Sequence, residues 1–435
     1  MNVLNISNNG GKDLEQIVSL LNESTILNSI STLENSMEYR IRLCEEIIIL
    51  SKLKMINFIA RFKNIYDVHI SKYPNLLRGS AGSSLILYVL GINKIDPIAN
   101  SIPLGRFINE LRETPPDIDI DVPTSLRDKI IKEIIDSNTD TIRMSTNNGC
   151  ENNKYFDDLI REDPTFNIAH SSGIIIFTPE QQTIIDSNKI SENQIGLTKF
   201  NYDKYGLKKI DLLSNTALDQ LAQIDPSKTI DSYDFEDPQV FEFIGMDDGI
   251  GITFGETPHF QNVLKILHPK TINELSICCS LIRPFACWNI SNKMNWENLR
   301  EQIIYDDDLM QFIVNKLGIT EEKSDQIRRM FKKNTDKEKM KNFIEFVENS
   351  NLIPKDKYKL KTALLNLHKY SFCKSHSLNY SRLIYCLYWT KYYKPKLFWR
   401  SVIKNVKGYY RDWVYIRKAL NHDIKFKGIE NCSPF

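Results

Sequence analysis

Residues 115–123 read Pro-Pro-Asp-Ile-Asp-Ile-Asp-Val-Pro, and the central run Asp117-Ile118-Asp119-Ile120-Asp121 decides how the rest of the chain is understood. Side chains along an extended strand alternate between its two faces. Asp117, Asp119 and Asp121 therefore share one face, while Ile118 and Ile120 point into a core. Neighbouring carboxylates on that face lie roughly 7 Å apart, two residues at about 3.3 Å each. Like charges so placed destabilise a strand unless a cation lies between them, and a hard divalent ion such as Mg²⁺ takes carboxylate oxygens together with substrate phosphates. An isolated Asp-x-Asp reads equally well as a solvated acidic edge, so the flanking sequence has to decide.

Upstream, Arg78-Gly79-Ser80-Ala81-Gly82-Ser83-Ser84 runs directly into Leu85-Ile86-Leu87-Tyr88-Val89-Leu90. A small-residue loop opening into a helix exposes backbone N–H groups and hydroxyls, which suits a phosphate. Downstream, Leu207-Lys208-Lys209-Ile210-Asp211-Leu212-Leu213 reads as a short buried strand with one carboxylate and an adjacent ammonium. A third acid arriving on a second strand is what a two-cation site requires, with the ions about 3.5–4 Å apart and stabilising both attacking and leaving oxygens.

The stretch from Arg78 to Asp128 resembles the palm of the C-family DNA polymerases, the family of the bacterial DNA polymerase III alpha subunit. The resemblance continues in order along the chain. His170-Ser171-Ser172-Gly173-Ile174-Ile175-Ile176 is similar to the family's His-x-x-Gly-apolar strand, and Tyr205–Leu213 to the strand bearing its third aspartate. Ile304–Lys333, with Ile327-Arg328-Arg329-Met330, resembles its fingers helices. Tyr370-Ser371-Phe372-Cys373-Lys374-Ser375-His376-Ser377 resembles its Tyr-Gly-Phe-Asn-Lys-Ser-His-Ser. The match covers roughly residues 36–431.

The resemblance implies an α+β protein, with a polymerase beta-like nucleotidyltransferase palm (a mixed sheet with helices) and a mainly helical fingers domain. It implies an N-terminal extension over 1–34, palm over 35–122, a reduced thumb over 123–166, palm again over 167–218 and fingers over 219–435. Asp117, Asp119 and Asp211 would be catalytic, holding two Mg²⁺ ions, with Mn²⁺ as a substitute. Asp121, Lys209 and His170 would support them, Lys209 by neutralising phosphate or primer-end charge. Arg78, Gly79 and Ser80, and on the fingers Arg328, Arg329, Lys374, Ser375 and His376, would contact the incoming nucleotide. The implied reaction is attack of a DNA primer 3′-hydroxyl on the alpha-phosphate of a dNTP, directed by a template. Two further readings remain: a template-independent nucleotidyltransferase, and a non-catalytic DNA-binding scaffold within a larger complex. Accessory chains would replace the PHP domain, full thumb and clamp-binding regions found in the family.

Some positions depart from the family pattern. Pro74-Asn75-Leu76-Leu77 stands where a Gly-Pro-Gly is usual, and Thr253-Phe254-Gly255-Glu256-Thr257 where the family has Phe-Gln-Leu-Glu-Ser. Gln261 replaces a basic residue, and Arg283-Pro284 is followed by Phe285 instead of glycine. These lie mostly in the fingers and imply altered nucleotide or primer handling around a retained metal site.

Composition fits this picture. The 435 residues, 42% hydrophobic and 26% charged, suffice for two or three domains with real cores. No apolar run is long enough to span a bilayer, and Met1–Lys12 is too polar for a signal peptide. The eight cysteines show no CxxC pairing or metal-ligand spacing, as expected of reduced thiols in a cytoplasmic protein. A net charge of +1 confines DNA affinity to local patches. Two candidates are Lys323–Lys341 and Lys391–Lys418, the latter interleaved with Tyr392, Tyr393, Trp399, Tyr409, Tyr410 and Trp413. Met37–His69 shows helical periodicity and should pack on the sheet, and Tyr380, Leu383, Ile384 and Leu387 mark one amphipathic helix.

Overall fold

The computed structural model describes residues 11–24, 27–28, 36–112, 116–147, 167–197, 202–286, 294–405, 408–422 and 424. Residues 1–10, 25–26 and 29–34 of the N-terminal extension and residues 148–166 of the segment assigned to a thumb lie outside them, as do Cys150, Cys287 and Cys432. The chain forms two compact units, residues 1–100 with 107–214, and residues 101–106 with 215–435. No described helix is long and apolar enough to cross a membrane.

The first unit is built on a mixed sheet. Its strands are β1 (Leu76–Arg78), β2 (Ile118–Pro123), β3 (Thr141–Asn147), β4 (Asn167–Ile176), β5 (Lys189–Ser191), β6 (Gln194–Ile195) and β7 (Lys208–Asn215). They lie in the order β1-β2-β7-β4-β3-β6-β5. β1 runs antiparallel to β2 with Arg78 opposite Asp119, and β4 antiparallel to β7 with Gly173 opposite Asp211. β3 is antiparallel to β4 but parallel to β6. The expected periodic stretch Met37–His69 is broken: α2 (Ser36–Lys52) and α3 (Ile56–Ile65) are separate helices, following α1 (Gly11–Asn22) and preceding a π-helical turn at Tyr66–Ile70. Leu43, Ile47 and Phe62 of that stretch are buried, whereas Ile41 and Ile48 are exposed.

β2 lies inside the sheet between β1 and β7, which sets aside the solvated-edge alternative. The sheet also includes a strand from the segment expected to be a reduced thumb. Thr141–Asn147 alternates, burying Ile142 and Met144, and packs them with Ile175, Phe177, Ile185 and Leu207. This strand follows α5 (Arg127–Ser137), which buries Ile130, Ile131 and Ile134; α4 (Leu85–Val89) and α6 (Gln182–Ser187) complete the unit's helices among the described residues.

The second unit is helical: α7 (Thr216–Ile224), α8 (Pro238–Met246), α9 (Pro258–Leu267), α10 (Ile272–Leu281), α11 (Trp296–Leu299), α12 (Asp306–Leu317), α13 (Glu321–Lys333), α14 (Lys337–Asn349), α15 (Pro354–Asn366), α16 (Lys374–Tyr393), α17 (Pro395–Lys404) and α18 (Asp412–Leu420). α16 is its axis. It is not the amphipathic helix expected: Ser375, Ser377, Ser381, Leu383, Tyr385 and Leu387 are all buried, so it is covered on every side. The small serines let α10 approach closely, through Ser280 Oγ to Ser377 Oγ at 2.9 Å and Ser377 Oγ to Ser276 O at 2.8 Å.

Candidate active site

Burial grades the three carboxylates at and just before β2. Asp117 keeps 46% of its side chain exposed, Asp119 is half-buried and Asp121 is 0% exposed. Asp121 has its own partner, the Arg78 guanidinium at 3.5 Å from β1. That contact gives Arg78 a buried carboxylate to support, while 37% of its own side chain stays exposed. Strand periodicity puts Lys209 and Asp211 on one face of β7, and β7 is the neighbour of β2.

Lys209 is only 6% exposed, so it is no snorkelling surface lysine. Its ammonium is paired with Asp211 and lies 3.6 Å from Asp117 Oδ2. Burial pulls its pKa down, but Asp211 and Asp117 outweigh that and raise it. Asp119 shows the cost of crowding the acids. Burial first, then the Asp211 charge, push its carboxyl up to about 7; Lys209 opposes and Asp117 adds.

A second set of contacts holds the two outer acids. Tyr202 donates to Asp117 Oδ1 at 3.2 Å, and Ser172 donates to Asp211 Oδ1 at 2.8 Å. His170 Nδ1 accepts the Gly173 and Ser172 amides at 2.8 and 3.2 Å. That nitrogen carries no proton while it accepts, so the 3.9 Å approach to Asp211 Oδ1 is not an ion pair. His170 braces the β4 turn that aims Ser172. Gly173 leaves room for this: a Cβ there would meet His170 Nδ1 and Met144 Cε at 3.1 Å and Asp211 Oδ1 at 3.4 Å. Sequence reasoning missed Ser172 and Tyr202; Ser172 lies inside the quoted His-x-x-Gly motif and was the readable signal.

The phosphate reading of the Gly/Ser loop meets an internal competitor. Glu46 of α2 accepts the Leu85 and Ile86 amides at 2.7 and 3.1 Å and the Ser84 hydroxyl at 2.8 Å. The N terminus of α4 therefore already holds a carboxylate, which Arg42 balances at 3.1 Å. Gly79 and Ser80 lie ahead of it, in a 3₁₀ turn spanning Gly79–Ser83. Gly79 enters this turn at φ 68°, a left-handed conformation that suits glycine.

In the second unit the nucleotide candidates are tied inward. Arg328 is 3% exposed, bonded to Asp325 Oδ1 at 2.8 Å and Asp306 Oδ2 at 3.4 Å. Arg329 bonds Asp325 Oδ2 at 2.5 Å. Arg106 and Lys332 also reach Asp306, at 3.3 and 3.0 Å. Arg106 arrives on the short segment Ser101–Arg106, which the sequence embeds in the other unit. Asp306 is accordingly held well below the usual carboxylate range: its burial is outweighed by Arg106, Arg328 and Lys332. Its neighbour Asp307 is pushed up to about 7 by burial and by Asp306, and accepts the Lys374 amide. Ser375 is buried, and the His376 ring is wedged between Phe372 at 4.6 Å and Tyr380 at 4.4 Å. Lys374 is half-buried. This buried network is the structural role that the Tyr305–Asp308 run carries, and it was not read from sequence.

The aromatic–basic stretch is likewise largely internal. Lys391 bonds Asp247 at 2.6 Å, Lys418 pairs with Asp248, and Trp399 is fully buried. Tyr392, Tyr393, Tyr409 and Trp413 remain exposed. The departures from the family motif also pack inside. Glu256 accepts Tyr415 Oη at 2.7 Å and the Gly251 amide at 3.0 Å. Gln261 donates to Tyr388 Oη at 2.9 Å and packs against Gly249, where a Cβ would collide with its amide.

Among the described residues, no group of three or more His, Cys, Asp or Glu is arranged to hold a metal ion; the acids of the first unit close on Lys209 instead. Their donor chemistry still fits a hard divalent cation, since all are carboxylate oxygens and Asp119 is destabilised as an anion.

A sheet unit with crowded carboxylates on and next to adjacent strands, and a separate helical unit, define a mixed α/β protein with a charged site. A family model described as the bacterial DNA polymerase III alpha NTPase domain matches residues 19–161, and one for the finger domain of that subunit matches residues 210–351. The DNA polymerase III subunit alpha of Thermotoga maritima is 28% identical over 346 residues, 71% of this chain and 40% of the relative. That of Staphylococcus epidermidis is 22% identical over 433 residues, covering 78% of this chain and 40% of the relative. An error-prone DNA polymerase of Mycolicibacterium paratuberculosis is 22% identical, covering 87% and 42%. The chain is a C-family polymerase alpha-like protein, and it spans about 40% of the length of these curated relatives.

Proposed function

We propose that this chain is a DNA polymerase that adds dNMP to a primer 3′-hydroxyl, using the first unit as palm and the second as fingers. The observation that carries the reading is the crowding of Asp117, Asp119 and Asp211 from neighbouring strands around one buried ammonium. Those three carboxylates would hold two Mg²⁺ ions, which lower the pKa of the attacking hydroxyl and stabilise the leaving pyrophosphate. The chain's own residues then position and screen. Ser172 and Tyr202 fix the orientation of Asp211 and Asp117, and Lys209 neutralises charge at the same place. Catalysis by positioning and charge stabilisation needs no nucleophilic side chain. In the first unit Gly79 and Ser80 are the candidate phosphate contacts; in the second, Arg329 and Lys374 keep partial exposure, while Arg328, Ser375 and His376 shape the fingers from inside.

Primer extension tests the proposal. Radiolabelled primer alone and primer annealed to template are incubated with Mg²⁺ and each dNTP singly. Template-directed incorporation, abolished by Asp119→Asn, is expected. Incorporation independent of template would convert the reading to a terminal transferase, and none with any nucleotide would reject a catalytic role for the isolated chain.

A further inference from the structure

Helix α13 is inside out. The residues it buries are Ser324, Asp325, Arg328 and Phe331, three of them polar or charged. Its apolar Ile327 and Met330 are left half-buried on the other side, where they line a groove with Phe343 and Phe346 of α14. α14 itself buries only Val347, and Phe346 is 48% exposed. The groove is open and holds about 940 Å³. An amphipathic helix normally turns its apolar stripe inward. Here much of the inward side is committed to the ion-pair network on Asp306 and Asp325, so Ile327 and Met330 are left half-buried at the groove. A local breach of the folding pattern of this kind marks a surface used for something else.

We infer that this groove docks a short acidic amphipathic helix from a partner protein. The spacing supports a helix: residues 323, 327 and 330 on one wall and 339, 343 and 346 on the other follow helical steps, the arrangement that receives anchors at i, i+3 or i+4, and i+7. The charge supports an acidic one. Lys323 and Lys339 stand on the walls of the groove against the single carboxylate Asp336, with Lys333, Lys337 and Lys341 in the same stretch of sequence. The Asp336 partner of Lys339, at 3.1 Å, is an exposed i,i+3 pair that exchanges readily for another carboxylate. Single-stranded nucleic acid is less well matched. Ile327 and Met330 offer no flat ring, and the two phenylalanines face each other at 5.9 Å, with Phe343 also against Phe331. The ring faces that bases would stack on are thus partly taken.

The inference is independent of polymerase activity and is tested by fluorescence polarisation on the full chain. The probes are a labelled peptide about three helical turns long, with leucines at i, i+4 and i+7 flanked by glutamates, its scrambled counterpart, and a labelled oligothymidylate. Saturable binding of the ordered peptide, at least about tenfold tighter than the scrambled one, is expected. Met330→Glu and Phe346→Glu should each weaken it at least about tenfold, a single-anchor loss of the size common at such interfaces. Both side chains are partly exposed, so unchanged circular dichroism is expected. The double variant Lys323→Glu/Lys339→Glu, which leaves the apolar walls intact, should weaken it as well. Equal binding of ordered and scrambled peptides, or binding indifferent to both glutamate variants, overturns the inference. So does oligothymidylate binding that Met330→Glu abolishes while the peptide fails to bind, which would make the groove a nucleic-acid site.

Discussion

Replacing Asp119 by asparagine removes one crowded charge and leaves the shape of the side chain. In the wild-type chain without divalent metal, the Asp119 carboxyl is pushed from 3.8 up to about 7, first by burial and then by Asp211. An acid with a raised native pKa binds its proton more tightly folded than unfolded. Below about pH 4 both states are protonated and the site costs nothing. From about pH 4 to 7 the unfolded chain has lost its proton and the native chain has not, so stability falls as pH rises. Above 7 the penalty is complete. Three pKa units correspond to about 4 kcal/mol; Asp119 retains some solvent contact, so about 2–4 kcal/mol is the expected scale. Asp119→Asn should therefore be more stable than wild type by that amount at pH 8 in chelator, and nearly equal to it at pH 4. Adding Mg²⁺ should narrow the gap, because a cation held at about a hundred times its dissociation constant stabilises the wild type by about 2.7 kcal/mol and the variant by less. Denaturant or thermal unfolding at several pH values, with chelator and with Mg²⁺, reads all of this. A variant less stable than wild type at pH 8, or a difference that ignores pH, would refute the account of crowded carboxylates.

Asp307→Asn should stabilise the second unit above pH 7, by about 2–4 kcal/mol in urea unfolding, because the native carboxyl is pushed up to about 7 by burial and Asp306. Asp306→Asn should do the opposite and cost about 3–5 kcal/mol, leaving Arg106, Arg328 and Lys332 buried without their shared anion. Glu46→Ala strips the cap from the Leu85 and Ile86 amides and should destabilise the first unit by about 2–4 kcal/mol, with faster hydrogen exchange at those two amides. Ser172→Ala should lower the primer-extension rate roughly three- to tenfold through loss of one charged hydrogen bond, while the apparent nucleotide KM stays unchanged.

What the sequence shows is its local periodicity. Ile118 and Ile120 alternate with aspartates, and both are fully buried in β2. Asp211 lies on the strand beside it, as expected of a third acid arriving from downstream. Contacts between residues far apart in sequence were not legible. Glu46 caps a helix that starts 39 residues later, and Arg106 reaches Asp306 across 200 residues. Nothing in the local pattern of either residue declares its partner. β3 was missed because its apolar alternation is only Ile142 and Met144 inside a polar run, too short to outweigh composition. Arg328 and His376 were read from motif position as nucleotide contacts. Burial, which no one-dimensional pattern reports for a charged side chain on a helix, puts them inside.

The place of Lys209 changes what the aspartates imply. Were the carboxylates unscreened, their mutual repulsion would make them untenable without metal, and their presence alone would argue for catalysis. With Lys209 among them, and Asp121 matched separately by Arg78, the metal-free chain already has partial neutralisation. One ammonium set against Asp117, Asp119 and Asp211 still leaves an excess of two negative charges when all three are ionised. The remedy available to the chain by itself is to keep a proton on Asp119, in line with its raised pKa. A divalent cation supplies the missing charge without that proton. Proton release from Asp119 on Mg²⁺ addition near pH 7 is therefore the expected signature of a working site, detectable by calorimetry in buffers of different ionisation enthalpy. A site kept only as scaffold would bind Mg²⁺ without such release, or not bind it.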